Sequence, residues 1–316
     1  MVLLEVKNLK TYYYTLRGVV RAVDNVSFSL ERGEVLGLVG ESGCGKSTIA
    51  WSLLNMVPPP GRITGGSIVI DGIDITKLSE DELRRKVRWK KVSMIFQGAM
   101  NALNPVFTIE DQLAEPLMIH KGLSKKESRD IIAKLLKMVG LDETIMRRYP
   151  HELSGGQKQR VIIAMALILN PDLVIADEPT TALDVIVQAQ IINLFKQIKQ
   201  RYKMAMIFIT HDLSLIAEIA DKVAVMYAGK IVEIGSADQV YGNPLHPYTQ
   251  GLLASIPRLR KREEIKWIPG VPPDLSRPPP GCRFFPRCQY VMDICKKEEP
   301  VLKEVEPGHY VACHLY

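Results

Sequence analysis

Residues 40–48 read Gly40-Glu41-Ser42-Gly43-Cys44-Gly45-Lys46-Ser47-Thr48, the spacing G-x-x-x-x-G-K-[ST]. They leave the apolar run 35–39 and open into STIAWSLLNM, a segment of helical character. A buried strand, a glycine-rich turn and a helix in that order make a phosphate cradle. The glycines let successive backbone N–H groups turn inward on an anion, and the helix N-terminus adds favourable dipole charge. In such a loop Lys46 reaches the β- and γ-phosphates of a nucleotide, and the Ser47 hydroxyl ligates Mg²⁺.

A second element completes a nucleotide site. Leu173-Val174-Ile175-Ala176 runs directly into Asp177-Glu178. Four apolar residues ending in two acids describe a buried strand that delivers carboxylates at its C-terminal edge, where open α/β sheets place ligands. Asp177 is expected to hold Mg²⁺ through water, and Glu178 to polarise the attacking water as general base. Together the two segments predict a P-loop NTPase of α/β class.

The remaining pattern agrees. LLEVKNL, NVSFSL and GGSIVIDG are short apolar runs bounded by turns, although the alternation from Leu4 to Leu9 is not clean. SKKESRDIIAKLLKMVG has helical spacing, with Ser124 at its start and Gly140 as its stop. HELSGGQKQRVIIAMALILN reads as a loop leading into a helix, VQAQIINLFKQIKQRY as an amphipathic helix, MAMIFIT as a strand and DKVAVMYAGKIVEIG as a hairpin. Strands alternating with helices imply a parallel sheet, and the helical stretch between its halves implies an inserted subdomain. After about residue 240 the periodic pattern ends, and PGVPPDLSRPPPG reads as a Pro-rich linker.

Leu153-Ser154-Gly155-Gly156-Gln157 narrows the reading, because LSGGQ is identical to the signature of ATP-binding cassette (ABC) proteins. Residues 1–240 resemble an ABC nucleotide-binding domain, with further landmarks in family order. Tyr13, flanked by Tyr12 and Tyr14, falls where the family stacks an aromatic ring on adenine. Gln97 in MIFQ matches the Q-loop, Asp184 in TALD the D-loop, and His211 in IFITHD the switch histidine. The resemblance implies a RecA-like P-loop core with an antiparallel β subdomain and a helical subdomain at about residues 100–165. It also implies that Gln97 joins Ser47 and Asp177 around Mg²⁺ and couples to a membrane subunit. His211 would contact the γ-phosphate and act with Glu178 and Gln97 in catalysis. LSGGQ would cap the nucleotide of a second cassette, so that two cassettes close head-to-tail around two ATPs.

The segment 241–316 is similar to the C-terminal extension of oligopeptide/dipeptide importer ATPases, with His246-Pro247-Tyr248-Thr249 at its core and a matching LNPVFTI at 103–109; the resemblance implies an importer ATPase for di- and oligopeptides, or for related cargo such as oligosaccharides or nickel. Gly98-Ala99 departs from the family, in which many members carry an acid and a proline there. Cys282, Cys288, Cys295 and Cys313 are separated by 5, 6 and 17 residues. Structural zinc normally uses a short C-x2–4-C pair, which this spacing lacks. Four thiolates also suit a [4Fe–4S] cluster, which the resemblance favours; zinc and free buried thiols are the alternatives. The segment is short and Pro-rich, so a metal centre would supply what packing cannot. Cys44, among the phosphate-cradling residues, is expected to have its thiolate favoured by the helix end.

No apolar run reaches the roughly 18 residues needed to cross a bilayer, and the start MVLLEVKNLK lacks the regions of a signal peptide. A cytoplasmic chain is therefore expected, and the family resemblance implies placement at the cytoplasmic face of the cell membrane through two permease subunits, with a substrate-binding protein acting indirectly. The resemblance of the tail also implies that the second cassette is a different ATPase subunit, giving a heterodimer, with a homodimer as the other arrangement. The net charge of +6 and the run Arg258-Leu259-Arg260-Lys261-Arg262 are the only features suiting the competing reading, a non-transport ABC ATPase acting on nucleic acid or ribosomes. The run reads better as a solvated connector, and no nucleic-acid partner is expected.

Overall fold

The computed structural model describes residues 1–98, 101–181, 183–255 and 267–316. The basic run at 258–262 and Ala99 lie outside the described residues. The chain divides into two compact units, Met1–Thr76 with Phe208–Tyr316, and Lys77–Ile207.

The first unit contains an antiparallel sheet of β1 (Val2–Thr15), β2 (Gly18–Glu31), β4 (Gly61–Ile70) and β5 (Ile73–Asp74), in the order β2-β1-β4-β5. This is the expected β subdomain. Along β2, Val26, Phe28 and Leu30 are buried, while Ser27 and Ser29 are more exposed, the period-2 pattern of a strand with one face on a core. The imperfect alternation in β1 has a local cause. Register with β2 shifts between Val6 and Leu9, and Asn8 sits at φ 48° with its N–H donated to Ser27 Oγ at 2.8 Å. This is bulge geometry, in which one extra residue is left out of the ladder.

The same unit carries β3 (Val35–Val39), buried along its whole length, which pairs parallel with β9 (Lys222–Tyr227). β9 returns antiparallel as β10 (Lys230–Ser236) through Ala228 and Gly229, both at positive φ as a tight hairpin turn requires. Helix α1 (Lys46–Leu53) follows β3. The hydrophobic run and its turns thus dictate what the sequence predicts.

Beyond residue 240 the structure is more regular than the sequence suggests. α8 (Ala237–Gly242), α9 (Pro247–Ala254) and α10 (Asp293–Lys297) are followed by β11 (Lys303–Glu306) and β12 (His309–Val311). β12 pairs antiparallel with β10 through Glu233↔Val311, and β11 pairs with β12, extending the sheet edge. These elements are too short to show periodicity. What holds them is tertiary: Tyr248 is fully buried, and its ring centroid lies 4.6 Å from Tyr227 and 5.4 Å from Phe284. Aromatic rings at such spacings add to the area they bury.

The HPYT core has a specific anchor. Glu233 of β10 is 0% exposed, and its carboxylate accepts the N–H groups of Leu245 (2.9 Å) and His246 (2.8 Å). The same carboxylate lies 2.8 Å from Nε2 of the equally buried His309. His246 caps α9, its Nδ1 accepting the Tyr248 N–H at 3.0 Å, and burial pushes its pKa down to about 3. The ring is therefore neutral, with a free lone pair for the cap.

The second unit holds β6 (Val92–Ile95) and β7 (Leu173–Asp177), paired in parallel, with α2 (Glu80–Glu82), α3 (Ile109–Lys121), α4 (Lys125–Met138), α5 (Gly155–Leu167) and α6 (Val185–Tyr202). β8 (Ala205–Ile209) crosses the boundary between the units. Thr108, Ser124 and Ser154 each close a capping box at the start of α3, α4 and α5, satisfying otherwise orphaned N–H groups. Gly140, at φ 74°, stops α4 as read from sequence. Ile132 and Leu136 of α4 and Leu113 and Leu117 of α3 are fully buried, at roughly 1.5–3 kcal/mol per side chain. Arg129 of α4 holds the nearly buried Glu110 of α3 at 2.6 Å. Among the described residues no helix is long and apolar enough to cross a membrane.

Candidate nucleotide-binding site

The P-loop connects β3 to α1 in the first unit, and its glycines are where no side chain fits. A Cβ on Gly40 would lie 2.1 Å from the Met226 carbonyl oxygen, and one on Gly45, at φ 108°, would lie 2.1 Å from the Ala22 carbonyl oxygen. Ser42 and Gly43 are exposed, whereas Lys46 and Thr48 are buried and Ser47 is half-buried. Lys46 donates from Nζ to the carbonyl oxygens of Gly40 (2.7 Å) and Glu41 (2.9 Å) and lies 3.6 Å from Cys44 Sγ. The ammonium thus lies over the loop that an anion would occupy.

Among the three tyrosines, Tyr13 is the one turned to this helix, its hydroxyl 3.5 Å from Thr48 Oγ1. Tyr12 donates its hydroxyl to Asp24 at 2.6 Å, and Tyr14 lies under the Arg62 guanidinium at 4.2 Å. The expectation for Cys44 is reversed. Cys44 is 4% exposed, and burial pushes its thiol up, outweighing the opposing pull of Lys46. A helix end favours a thiolate only where solvent or a partner also supports the charge. His211 is exposed on the loop after β8, directly before the Asp212 that caps α7 (Leu213–Ile219).

In the second unit, Asp177 ends β7 fully buried and Glu178 follows it half-buried. Glu178 sits at φ 47°, a conformation costly for a residue with a Cβ. Its Oε2 accepts hydrogen bonds from Gln97 Nε2 (2.8 Å) and Thr181 Oγ1 (3.0 Å). The structure therefore joins Gln97 and Glu178, two residues 81 positions apart that the sequence reading assigned to catalysis.

The signature residues surround the start of α5. Ser154 is the N-cap, its Oγ accepting the Gln157 N–H at 3.4 Å while its own N–H goes to Gln157 Oε1 at 3.0 Å. Leu153 is buried, Ser154 and Gly155 are exposed, and Gly156 is half-buried, 3.0 Å from Val187 when a Cβ is added. Asp184 caps α6 through the Val187 N–H at 2.9 Å, and the next residues, Val185 and Ile186, are 79% and 72% exposed. Exposed small residues at the start of α5 and two bare aliphatic side chains at the start of α6 thus both belong to this unit.

The tail cysteines are all free thiols. Cys282 donates its N–H to the Cys295 carbonyl at 2.8 Å, and Tyr290 donates its N–H to Cys288 Sγ at 3.4 Å. Burial pushes the Cys282 thiol up to about 11, with Cys295, Cys313 and Cys288 adding to the rise. Cysteine sulfur is a donor of a kind suited to iron or zinc. Yet no three or more His, Cys, Asp or Glu side chains form a metal-holding group among the described residues. The donor chemistry fits a metal centre; the arrangement is not a closed ligand shell.

Sequence reasoning missed how the tail engages the P-loop. Glu41 donates its N–H to the Tyr248 hydroxyl at 2.9 Å, and its carboxylate takes both terminal nitrogens of Arg287 at 2.7 and 2.9 Å. Arg283, 5% exposed, pairs with Asp24 beneath Tyr12. The signal lay in RFFPRC at 283–288, where two arginines flank a pair of phenylalanines beside a cysteine.

The comparisons with known proteins follow this geometry. A family model described as ABC transporter matches residues 23–181, and one described as oligopeptide/dipeptide transporter, C-terminal region, matches residues 232–295. The chain is 48% identical over 99% of its length to the dipeptide transport ATP-binding protein DppD of Bacillus subtilis, covering 94% of that protein. It is 49% identical over 98% of its length to the oligopeptide transport ATP-binding protein OppD of Escherichia coli, covering 92% of it. Among solved structures, the dimeric post-hydrolysis state of the ATP-binding cassette MJ0796 bound to ADP and Pi is similar at TM-score 0.65 and 31% identity. That similarity covers 74% of this chain and 99% of the cassette. A phosphate cradle, a signature helix and matches that run nearly end to end lead to one conclusion: the chain belongs to the ABC transporter family.

Proposed function

We propose that this chain is the ATP-binding and ATP-hydrolysing subunit of an ABC importer for di- and oligopeptides. The observation that carries this is the match over 99% of the chain to a dipeptide transport ATP-binding protein, tail included. Residues 1–240 act as the cassette, with a helical subdomain at about 100–165, and 241–316 as the extension. Gly40–Thr48 cradle the phosphates, Lys46 contacts them, and Tyr13 stacks on the base. Ser47, Asp177 and Gln97 hold Mg²⁺. Glu178 is the general base, and the Gln97 hydrogen bond supports this by holding its carboxylate in place. His211 contacts the γ-phosphate.

LSGGQ completes the site of a second cassette, and the exposure of Ser154, Gly155, Val185 and Ile186 supports this reading. The second cassette is a different ATPase subunit, and the pair works under two permeases at the cytoplasmic face of the membrane, with a substrate-binding protein delivering cargo. A [4Fe–4S] cluster on Cys282, Cys288, Cys295 and Cys313 serves as a structural staple, a reading that rests on the donor chemistry. Reconstitution with the permeases of the neighbouring genes tests the whole. Peptide uptake that depends on ATP and on this chain supports it; ATPase activity stimulated by nucleic acid, with no peptide uptake, overturns it.

A further inference from the structure

Arg287 belongs to the extension, yet its chief partner is a P-loop residue. Its side chain is 4% exposed, and its N–H groups make five hydrogen bonds. Nε donates to the Pro269 carbonyl at 2.8 Å, and further bonds at 3.4 Å run to the Tyr227 hydroxyl and the Ile268 carbonyl. The two shortest terminal bonds form the planar fork on Glu41, the geometry in which guanidinium and carboxylate fit best.

Glu41 is held at three points. Its carboxylate is on Arg287, its N–H on Tyr248, and its carbonyl on the Lys46 ammonium. The chain thus keeps a carboxylate in a loop that receives a polyanion, on a residue whose backbone carbonyl oxygen holds the lysine that should serve that anion. Without a counter-charge, the Glu41 carboxylate would repel phosphate. We infer that Arg287 is a positioning residue of the ATP site: it neutralises Glu41 and fixes the first turn of the P-loop, so that the extension sets affinity for the phosphates. This rests on the P-loop as the nucleotide site.

The test is calorimetric titration of the full-length chain with Mg-ATP and, separately, with adenosine. Arg287→Ala should weaken Mg-ATP binding about tenfold, the effect of baring one charge near the ligand. Adenosine, which carries no phosphate, should bind as before. Arg287→Ala with Glu41→Gln should return Mg-ATP affinity to within about threefold of wild type, because the repelling charge is gone. Equal losses for Mg-ATP and adenosine, wild-type affinity in Arg287→Ala, or a double variant as weak as the single one would overturn the inference. If Arg287→Ala fails to fold by circular dichroism, Arg287→Lys replaces it. Its retained charge should keep the Mg-ATP loss below that of a lost ion pair, and a tenfold loss overturns neutralisation. Lys46→Ala tests the site itself: undiminished Mg-ATP binding there would remove the nucleotide site and not merely the role of Arg287.

Discussion

Replacing Glu233 by alanine should cost more stability than any surface change in the chain. The carboxylate is fully buried and serves the N–H groups of Leu245 and His246 as well as His309 Nε2. Alanine leaves these three polar groups without an acceptor in a site closed to water. Each unsatisfied buried group costs about 1–3 kcal/mol, and relaxation around the smaller side chain recovers part. A net loss of about 4 kcal/mol follows. Glu233→Gln keeps one carbonyl oxygen but turns an NH₂ toward a donor, and should lose about 2 kcal/mol. The assay is urea unfolding followed by fluorescence, with hydrogen exchange read at Leu245 and His246. Both amides should lose protection in the alanine variant before the rest of the chain does. A loss under about 1 kcal/mol, with both amides still protected, would refute the account of how the HPYT segment is anchored.

Lys46→Ala should weaken ATP binding, whereas Glu178→Gln should bind ATP normally and lose at least about a hundredfold in turnover, as removal of a general base does; steady-state hydrolysis beside nucleotide affinity separates the two. The buried His246, whose pKa falls from 6.5 to about 3 on folding, stabilises the fold fully above pH 6.5 and loses that contribution as pH falls toward 3. The unfolding free energy from urea titration at pH 4.5 should therefore drop against pH 7.5 by about 2–3 kcal/mol more in wild type than in His246→Asn, which keeps a cap without the titration. Anaerobically purified chain should contain iron and acid-labile sulfide in near-equal amounts, both removed by Cys288→Ser; one equivalent of zinc without sulfide, from cells grown with ample iron, would replace the cluster by zinc.

The cassette was legible because its chemistry is written in contiguous residues. Gly40 to Thr48 carry their own backbone requirements, and Asp177-Glu178 sit where a buried strand must end. Ser124 and Gly140 mark the two ends of a helix that the apolar spacing between them already shows. What stayed hidden depends on distant pairs. Nothing local to Glu233 announces His309, 76 residues on, and nothing in Glu41 announces Arg287, 246 residues on. The break in alternation at Asn8 was visible, but its meaning, a bulge against β2, needs the partner strand. Cys44 was misread because a helix end was weighed without burial, and burial dominates at 4% exposure. The tail looked poor in core because its packing is a few aromatic rings on Tyr227 and a strand added to β10, neither of which leaves a period in the sequence.

The central claim is that one chain holds two incomplete halves: a P-loop with catalytic residues for its own nucleotide, and an LSGGQ helix for another cassette's. Light scattering after size exclusion of Glu178→Gln with ATP and Mg²⁺ tests it most directly, since unhydrolysed γ-phosphates should bridge two cassettes. The account predicts a dimer that forms only with ATP and is lost when Ser154→Arg places a bulky side chain at the exposed cap of α5. A chain that remains monomeric under these conditions while the wild type hydrolyses ATP at full rate as a monomer would contradict it.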